Sequence, residues 1–402
     1  MFKRDARVVV AGAGPVGSFA AYLLAQAGYE VIVLEAAATC LEDMRASTFH
    51  PPTLEMMDEI GIASDLIERG LKAPVYQYRD RRSGEHYEFD FAELAGDTKY
   101  PFRLQCEQFK MAGLLAEKME AHPLADIRFR NRVVSFSQDD EGVTVNVETP
   151  YAVETLRADY LIAADGANSI IRKWLGVEFE GFTYPEKFLT LSTTTPVQDY
   201  FENLSYVNYV ADPEEWVVLL KVPSVWRVLV PSKGMSDEEL LSDENKVKVF
   251  DRLLGAGEGA SVKTNHRTIY NVHQRVAEKF DHGRVLLVGD AAHLNNPLGG
   301  FGMNSGIHDA ECLGNALIDI FKGRGDARSK LAAFDRERRA ITHEFIQRQT
   351  IRNKKMMEAN SADAQKAYAE ELKAIQQDPQ KRREFLLNQS MINNVRLKQA
   401  AE

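Results

Sequence analysis

Cysteine is scarce in this chain. The three present, Cys40, Cys106 and Cys312, lie far apart, an odd and scattered set that excludes a disulfide framework and a zinc site. No metal is expected, and a reducing cytoplasm is the natural compartment. The chain also lacks any run of twenty apolar residues, so no membrane-spanning helix is expected. It has no surplus of positive charge. The formal net charge is −10, which argues against nucleic acid, whose binding rewards clustered Lys and Arg. Repeats and low-complexity linkers are absent too. What is there is 45% hydrophobic and 27% charged, the balance of a folded globular protein. A length of 402 residues suffices for two associated domains with a substantial core.

Lys3 and Arg4 before an apolar run imitate a secretory leader, but Gly12, Gly14, Pro15 and Gly17 interrupt the run. The segment reads instead as strand Arg7–Ala11, helix Ser18–Ala27 stopped by Gly28, and strand Glu30–Leu34 ending at Glu35. Gly12 permits the tight turn, Gly14 lets the backbone approach a pyrophosphate, and Gly17 allows close packing of helix on strand. The helix start offers free N–H groups to phosphates. Glu35 is placed to accept from ribose hydroxyls, and its charge would repel a 2′-phosphate, so NADP does not suit this first site. A glycine motif alone is weak. Here strand, helix, second strand and acid all fall in order.

Two later segments choose between dinucleotides. In Asp159–Arg172 a buried strand ends at Asp165-Gly166, a helix begins near Ser169, and Arg172 lies in its first turn. In Gly283–Asn304 a strand ends at Gly289-Asp290, and the loop Asn296-Pro297-Leu298-Gly299-Gly300-Phe301-Gly302-Met303 feeds a helix from about Asn304. Asp290 can bind hydroxyls of a sugar-like chain, and a helix start aimed at a reduced flavin ring would stabilise its negative charge. Each segment alone reads as an ordinary turn. Together they place polar groups at strand ends more than a hundred residues apart, which one long cofactor, FAD, explains economically.

Elsewhere, Leu54–Ile60 and Glu107–Met119 read as helices, with a β-meander over Arg132–Ser137 and Val143–Glu148. Phe188–Thr194, Leu204–Val210, Trp216–Val222 and Val225–Pro231 suggest an antiparallel sheet. Ser236–Leu254 reads as one helix opened by a capping box of Ser236 with Glu239. Asp378-Pro379 marks a helix restart. The tail beyond Arg336 is helical, expected across the cofactor domain or at a subunit contact. The fold class is α/β: a Rossmann-like, glutathione-reductase-like FAD-binding domain over 1–75, 101–178 and 271–335, an interleaved antiparallel-sheet substrate domain over 76–100 and 179–270, and a helical C-terminal segment over 336–402.

From about residue 5 to 340 these motifs resemble the group A flavoprotein monooxygenases, the family of para-hydroxybenzoate hydroxylase. The glycine fingerprint matches Gly12, Gly14, Gly17 and Glu35. The Asp-Gly motif matches Asp165, Gly166, Ser169 and Arg172. The Gly-Asp motif matches Gly289 and Asp290 and extends through Pro297, Gly299, Gly300, Gly302 and Asn304. The resemblance also assigns Arg45 and Gln105 to the cofactor, with Pro15, Val16, Ala36, Val134 and Met303 as further contacts. It implies one FAD, reduction by NADH or NADPH, and oxygen from O2 inserted into an aromatic or heteroaromatic ring through a flavin C4a-hydroperoxide. The family associates its Asp-Gly segment with both FAD and the nicotinamide nucleotide. A second glycine fingerprint is missing, since Gly255-Ala256-Gly257-Glu258-Gly259 has the wrong spacing. That suits this family and counts against the pyridine-nucleotide disulfide reductases. Asn295-Asn296-Pro297-Leu298 stands where many relatives carry two prolines.

A phenolic substrate reacts far better as phenolate, so a base or hydrogen-bond path is expected near it, in a site that excludes water. His273 and Tyr270 are the catalytic candidates, together with Pro297. Strand alternation would turn only one of the first two into the cleft unless a bulge intervenes. Tyr206, Tyr209, Trp216 and Arg227 are candidates for the substrate wall, with Arg227 suited to a carboxylate. His293 reads as a loop-supporting residue, and a place near the flavin is the minor reading for His50. The expected partner is a small phenolic or hydroxypyridine-like compound, and a homodimer is left open. Two alternatives stand beside this reading. One is another flavoprotein of the same fold, a quinone or prenyl hydroxylase or reductase; the Trp-x-Trp-x-Ile-Pro signature of the halogenases is absent. The other is a flavin-less binding module, which would have lost the Asp-Gly and Gly-Asp segments.

Overall fold

Four buried apolar runs lie side by side as parallel strands. The structure, a computed structural model, describes residues 5–42, 46–212, 214–358 and 362–399. Val8–Ala11 sits in the middle, hydrogen-bonded in parallel to Val31–Glu35 on one side and Tyr160–Ala163 on the other. Val285–Leu287 and Ala125–Phe129 extend the two flanks, and the short antiparallel Asp281–His282 closes one edge. Strands covered on both faces need apolar side chains in both directions, which is why these runs do not alternate. Helices Pro15–Gln26, Gln108–Glu120 and Gly302–Phe321 pack together over the sheet. The meander forms a three-stranded sheet, Arg132–Asp139, Gly142–Glu148 and Val153–Ala158.

An eight-stranded sheet holds the Tyr-, Trp- and Val-rich middle of the chain. Its two longest strands, Phe179–Thr193 and Thr264–Ala277, pair antiparallel along their length. Trp226–Ser232, Val217–Lys221 and Val207–Ala211 follow outward, and the last of these pairs in parallel with Val75–Asp80 of an earlier hairpin. One face buries Leu191, Val228 and Val230 against the helix Asp243–Leu254. The other carries Tyr76, Tyr78, Phe188, Tyr209 and Trp216, covered by Met356, Leu372 and Phe385 from the tail.

That cover differs from the expected position of the tail across the cofactor domain. The spaced apolar residues of the tail find an unpaired aromatic face on the sheet, with Phe385 4.7 Å from Phe89 by ring centroid. The segment 236–254 also differs. It is two helices, Asp237–Leu241 and Asp243–Leu254, because Ser242 turns extended and caps the second one through Asn245 N–H. The Ser236–Glu239 capping box is formed. Helices expected from Ser18 and Leu54 begin earlier, at Pro15 and Pro51, where proline already has helical φ and no N–H to satisfy. Asp378 caps the helix that starts at Pro379. Among the described residues, no helix is long and apolar enough to cross a membrane.

Two glycines of the first turn do different work. A Cβ on Gly17 would lie 2.0 Å from the Gly12 carbonyl oxygen, whereas one on Gly14 would meet nothing within 4 Å. Gly17→Ala is therefore expected to destabilise the fold by about 1–3 kcal/mol, the usual cost of overpacking. Gly14→Ala should stay within about 0.5 kcal/mol of the parent. Urea denaturation of both variants checks this, and equal losses would show that the close approach at Gly17 is not the limiting contact.

Candidate active site

The carboxyl ends of the parallel strands open into one crevice of about 600 Å³, within the usual size of a ligand pocket. Gly12, Gly14, Pro15 and Val16 form its floor, Glu35 and Ala36 one lip, and Asp165, Gly166 and Asp290 the opposite side. Tyr270, His273, Pro297 and Met303 border the end toward the eight-stranded sheet. Residues from three segments far apart in sequence thus meet around a single space.

The polar groups are held in place by backbone. Glu35 accepts from Ala13 N–H at 2.9 Å and Ala37 N–H at 2.8 Å, which fixes the carboxylate and leaves lone pairs for hydroxyl donors. Asp165 accepts from Ile170 N–H at 2.9 Å through one oxygen, while its other oxygen is buried with no partner among the described residues. Burial raises its pKa above the ordinary value, against the hydrogen bonds from Ser169 and the backbone. An orphaned carboxyl oxygen beside a cavity is the mark of a missing ligand donor. The helices Pro15–Gln26 and Gly302–Phe321 carry no side-chain cap, so their first N–H groups remain available to an anion. Strand-end acceptors, the open approach at Gly14 and open helix starts along one crevice fit a dinucleotide such as FAD.

Other expected cofactor residues stand behind this wall. Gly17 packs the helix, and Gly289 packs against Val16. Arg172 donates to Ala291 O at 2.8 Å and Ala167 O at 2.7 Å, with its guanidinium over Phe179. It ties the Asp-Gly turn to the Gly-Asp turn and does not line the crevice. Asn304 accepts from His50 N–H at 3.0 Å and donates to Thr48 O and Gly300 O. Gly302 opens the second helix. Gln105 is buried beside Thr48, with its Nε2 lacking a partner. Val133 lines the crevice where Val134 was expected, because the two neighbours point to opposite faces of their strand. Arg45 lies outside the described residues.

At the sheet end the strand borders the crevice with four consecutive residues, Tyr270 to His273, so alternation does not separate Tyr270 from His273. The pairing is irregular there, jumping from Thr183↔His273 to Lys187↔Asn271, so the three intervening residues bulge from the partner strand. His273 Nδ1 bonds Thr183 Oγ1 at 2.9 Å, and burial, helped by Arg275, lowers its pKa below the usual value. The substrate candidates separate. Tyr209 and Trp216 are buried in the aromatic face, but Tyr206 is 42% exposed and is corrected here to a surface residue. It lies in the bend just before the strand Val207–Ala211 that carries Tyr209. Arg227 is buried and donates to Ser47 Oγ at 2.9 Å, joining the sheet to the loop before His50.

Several neighbours escaped the sequence reading. Asn131, Arg132, Gln108 and Asn168 line the crevice; only Asn168 sat in a recognised motif. Asp309 is the main omission. Fully buried, it accepts from Gly289 N–H at 3.1 Å, His293 Nε2 at 2.6 Å and Arg338 Nε at 2.7 Å. Burial alone would raise its pKa, but His293 and Arg338 outweigh that and hold it below the ordinary value.

Comparison with known proteins agrees with this geometry. The FAD binding domain family matches residues 5–349. The chain belongs to that family. It is 36% identical over 343 residues to para-nitrophenol 4-monooxygenase of Pseudomonas sp. strain WBC-3, covering 84% of each chain. It is 31% identical to 6-hydroxy-3-succinoylpyridine 3-monooxygenase of Pseudomonas putida, covering 85% of this chain and 86% of that one. The crystal structure of p-nitrophenol 4-monooxygenase from Pseudomonas putida DLL-E4 superposes with a TM-score of 0.91 at 32% identity, covering 96% and 98% of the two chains. This flavoprotein is an FAD-dependent aromatic monooxygenase, drawing electrons from NADH or NADPH and oxygen from O2. The quinone, prenyl and flavin-less alternatives find no support among these relatives.

Asp309→Asn should cost the flavoprotein about 3–5 kcal/mol, because it leaves a buried Arg338 without its counter-charge. The pH dependence has a definite sign. The folded carboxyl titrates below its unfolded value of about 4, so its contribution is complete above that pH and is lost as the pH falls through the folded pKa. Acid unfolding of the variant should be correspondingly shallower; an unchanged acid limb would remove Asp309 from that role.

Proposed function

We propose that this monooxygenase oxygenates a phenol or hydroxypyridine at the ring carbon para to its hydroxyl. The observation that carries this is the aromatic-walled end of the crevice, where Tyr270, His273 and Pro297 meet the cofactor groove. The two relatives add the position. Para-nitrophenol attacked at carbon 4, and 6-hydroxy-3-succinoylpyridine attacked at carbon 3, both react para to the ring hydroxyl, at a carbon already bearing a substituent. A phenolate is electron-rich at that carbon, so the position follows from the chemistry of the ring as well.

FAD, when bound, passes electrons from NADH or NADPH to O2 and activates one oxygen atom for the ring. The protein supplies position. In this reading Gly14, Pro15 and Glu35 hold the nucleotide end, Asp165 and Asp290 the middle, and Pro297, Gly300 and Met303 face the flavin. Gln105 serves the same region through its Nε2, which has no partner among the described residues. The strand carrying Tyr270 and His273 closes the cavity against water. Residues 1–75, 101–178 and 271–335 then form the cofactor domain, and 76–100 with 179–270 the substrate domain. Three free cysteines and the net charge of −10 support a cytoplasmic enzyme without a nucleic-acid partner.

The test is nucleotide oxidation by the purified flavoprotein with NADH and with NADPH, quantifying peroxide, across para-substituted phenols and hydroxypyridines. With 4-nitrophenol the expected result is coupled consumption and release of nitrite, the ring leaving as quinone. Coupled turnover to a catechol would move the reaction to the ortho carbon. Fast consumption that ends wholly as peroxide, for every compound, would overturn the proposal.

A further inference from the structure

The aromatic cluster beyond Pro297 contains a buried cation with no ion pair among the described residues. Arg103, in the strand Arg103–Gln105, is fully buried. Its guanidinium carbon lies 4.5 Å from the Tyr76 ring centroid and 5.3 Å from that of Phe91. Nη2 donates to Gln389 O at 2.9 Å, and Nε and Nη1 have no partner among the described residues. Cation–π contacts repay part of the desolvation of a guanidinium, but a buried charge is ordinarily matched by an anion. The hydroxyls of Tyr76 and Tyr78 are also buried without partners. Burial pushes both phenols well above their usual pKa, so they stay neutral and able to donate. Four donor groups, Arg103 Nε and Nη1 and the two phenol hydroxyls, thus have no acceptor among the described residues.

This cluster adjoins the crevice. Val272 lines the crevice and belongs to the same apolar cluster as Tyr76 and Tyr78, as does Leu298, the residue after Pro297. The tail connects the two: Asn353 donates to Leu298 O at 3.1 Å, Gln389 to Asn353 at 3.3 Å, and Arg103 to Gln389. Beside Arg103, His50 gives its Nε2–H to Gly299 O at 2.8 Å, which leaves Nδ1 as a buried, unpartnered acceptor. Burial first and the Arg103 charge second hold His50 neutral.

We propose that Arg103, with the hydroxyls of Tyr76 and Tyr78, forms the subsite that receives the substrate's ring oxygen as a phenolate. The proposal rests on the para-oxygenation reading above and deepens it. If the attacked carbon faces the flavin at Pro297, the oxygen para to it points away from the crevice, toward this cluster. The guanidinium selects the anion, the form in which the para carbon is nucleophilic, and the aromatic walls hold the ring flat. Tyr209 supplies wall, and Arg227, occupied with Ser47, does not supply the charge.

The experiment is binding of 4-nitrophenol to the oxidised holoenzyme, without NADH or NADPH, about one unit below the probe's own ionisation. Its anion is yellow and its neutral form is not, so colour reports the bound state. The wild type should develop the anion colour on binding. Arg103→Met, with FAD retained, should bind at least roughly tenfold more weakly, the scale of one charged hydrogen bond, and without the colour. Tyr76→Phe and Tyr78→Phe remove hydroxyls that have no partner in the free protein, so they should leave Tm unchanged or higher while weakening binding about three- to tenfold. A merely structural role would lower Tm and leave the bound colour intact. Wild-type affinity and colour in Arg103→Met, or in both tyrosine variants should Arg103→Met not fold, would overturn the subsite and leave para-oxygenation standing. A wild type that binds no phenol and oxidises no nucleotide in response would remove both.

Discussion

One buried carboxylate, Asp309, fixes the geometry on which the crevice depends. The Gly-Asp turn must present Asp290 to the cleft while its own backbone packs against the glycine turn of the first strand. A Cβ at Gly306 would lie 2.7 Å from the Val16 side chain and 2.9 Å from the Gly289 Cα, so the helix backbone already sits against the Gly-Asp turn and the start of the first helix. Such contacts tolerate no slack, and Asp309 removes it by holding Gly289 N–H from inside the helix Gly302–Phe321. Arg338, from the helix Ala327–Ile341, and His293 complete the set. Charge-assisted bonds in a dry interior are strong only when every partner is present. The helix after the crevice, the turn before it and the beginning of the tail are therefore one unit.

The parts of this arrangement visible in the sequence are those whose physics is local. Val8–Ala11 and Tyr160–Ala163 are buried on both faces and therefore read as unbroken apolar runs. Gly17 is demanded by a contact within its own turn, the Gly12 carbonyl. The capping box at Ser236 needs only its neighbour at Glu239. These features led to the cofactor crevice before any coordinates. Ser242 shows the limit: its hydroxyl could cap a new helix or sit silently within one, and only the path of the chain past the sheet decides.

The substrate end was less legible because its residues meet only through tertiary structure. Arg103 approaches Tyr76 across strands of different sheets, and its single bonded partner, Gln389, is 286 positions away. No periodicity relates them. Tyr206 and Tyr209 look equivalent in composition, yet one faces solvent. His273 and Tyr270 share the crevice because the strand borders it with four consecutive residues, Tyr270 to His273, whatever the alternation of their side chains. The tail carried an apolar pattern without an address, since the face it covers is assembled from the hairpin at 75–90 and strands more than a hundred residues later.

Charge brings the two ends together. The nucleotide side of the crevice displays Glu35, Asp165 and Asp290 as acceptors for hydroxyl groups, with Arg132 and two uncapped helix starts beside them for phosphates. Beyond Pro297 the buried cation is Arg103. In the proposed subsite that charge orients a phenolate before any contact with its substituents. The overall charge of −10 does not oppose this. Surface charges are screened over about 8–10 Å at physiological salt, so they act mainly on the rate of approach, whereas a guanidinium enclosed by aromatic rings acts in a low dielectric where its field is strong. Leaving its donors unpaired costs stability in the free protein. That cost is the physical signature of a group retained for a ligand, since an apolar residue of similar size would satisfy the core without it.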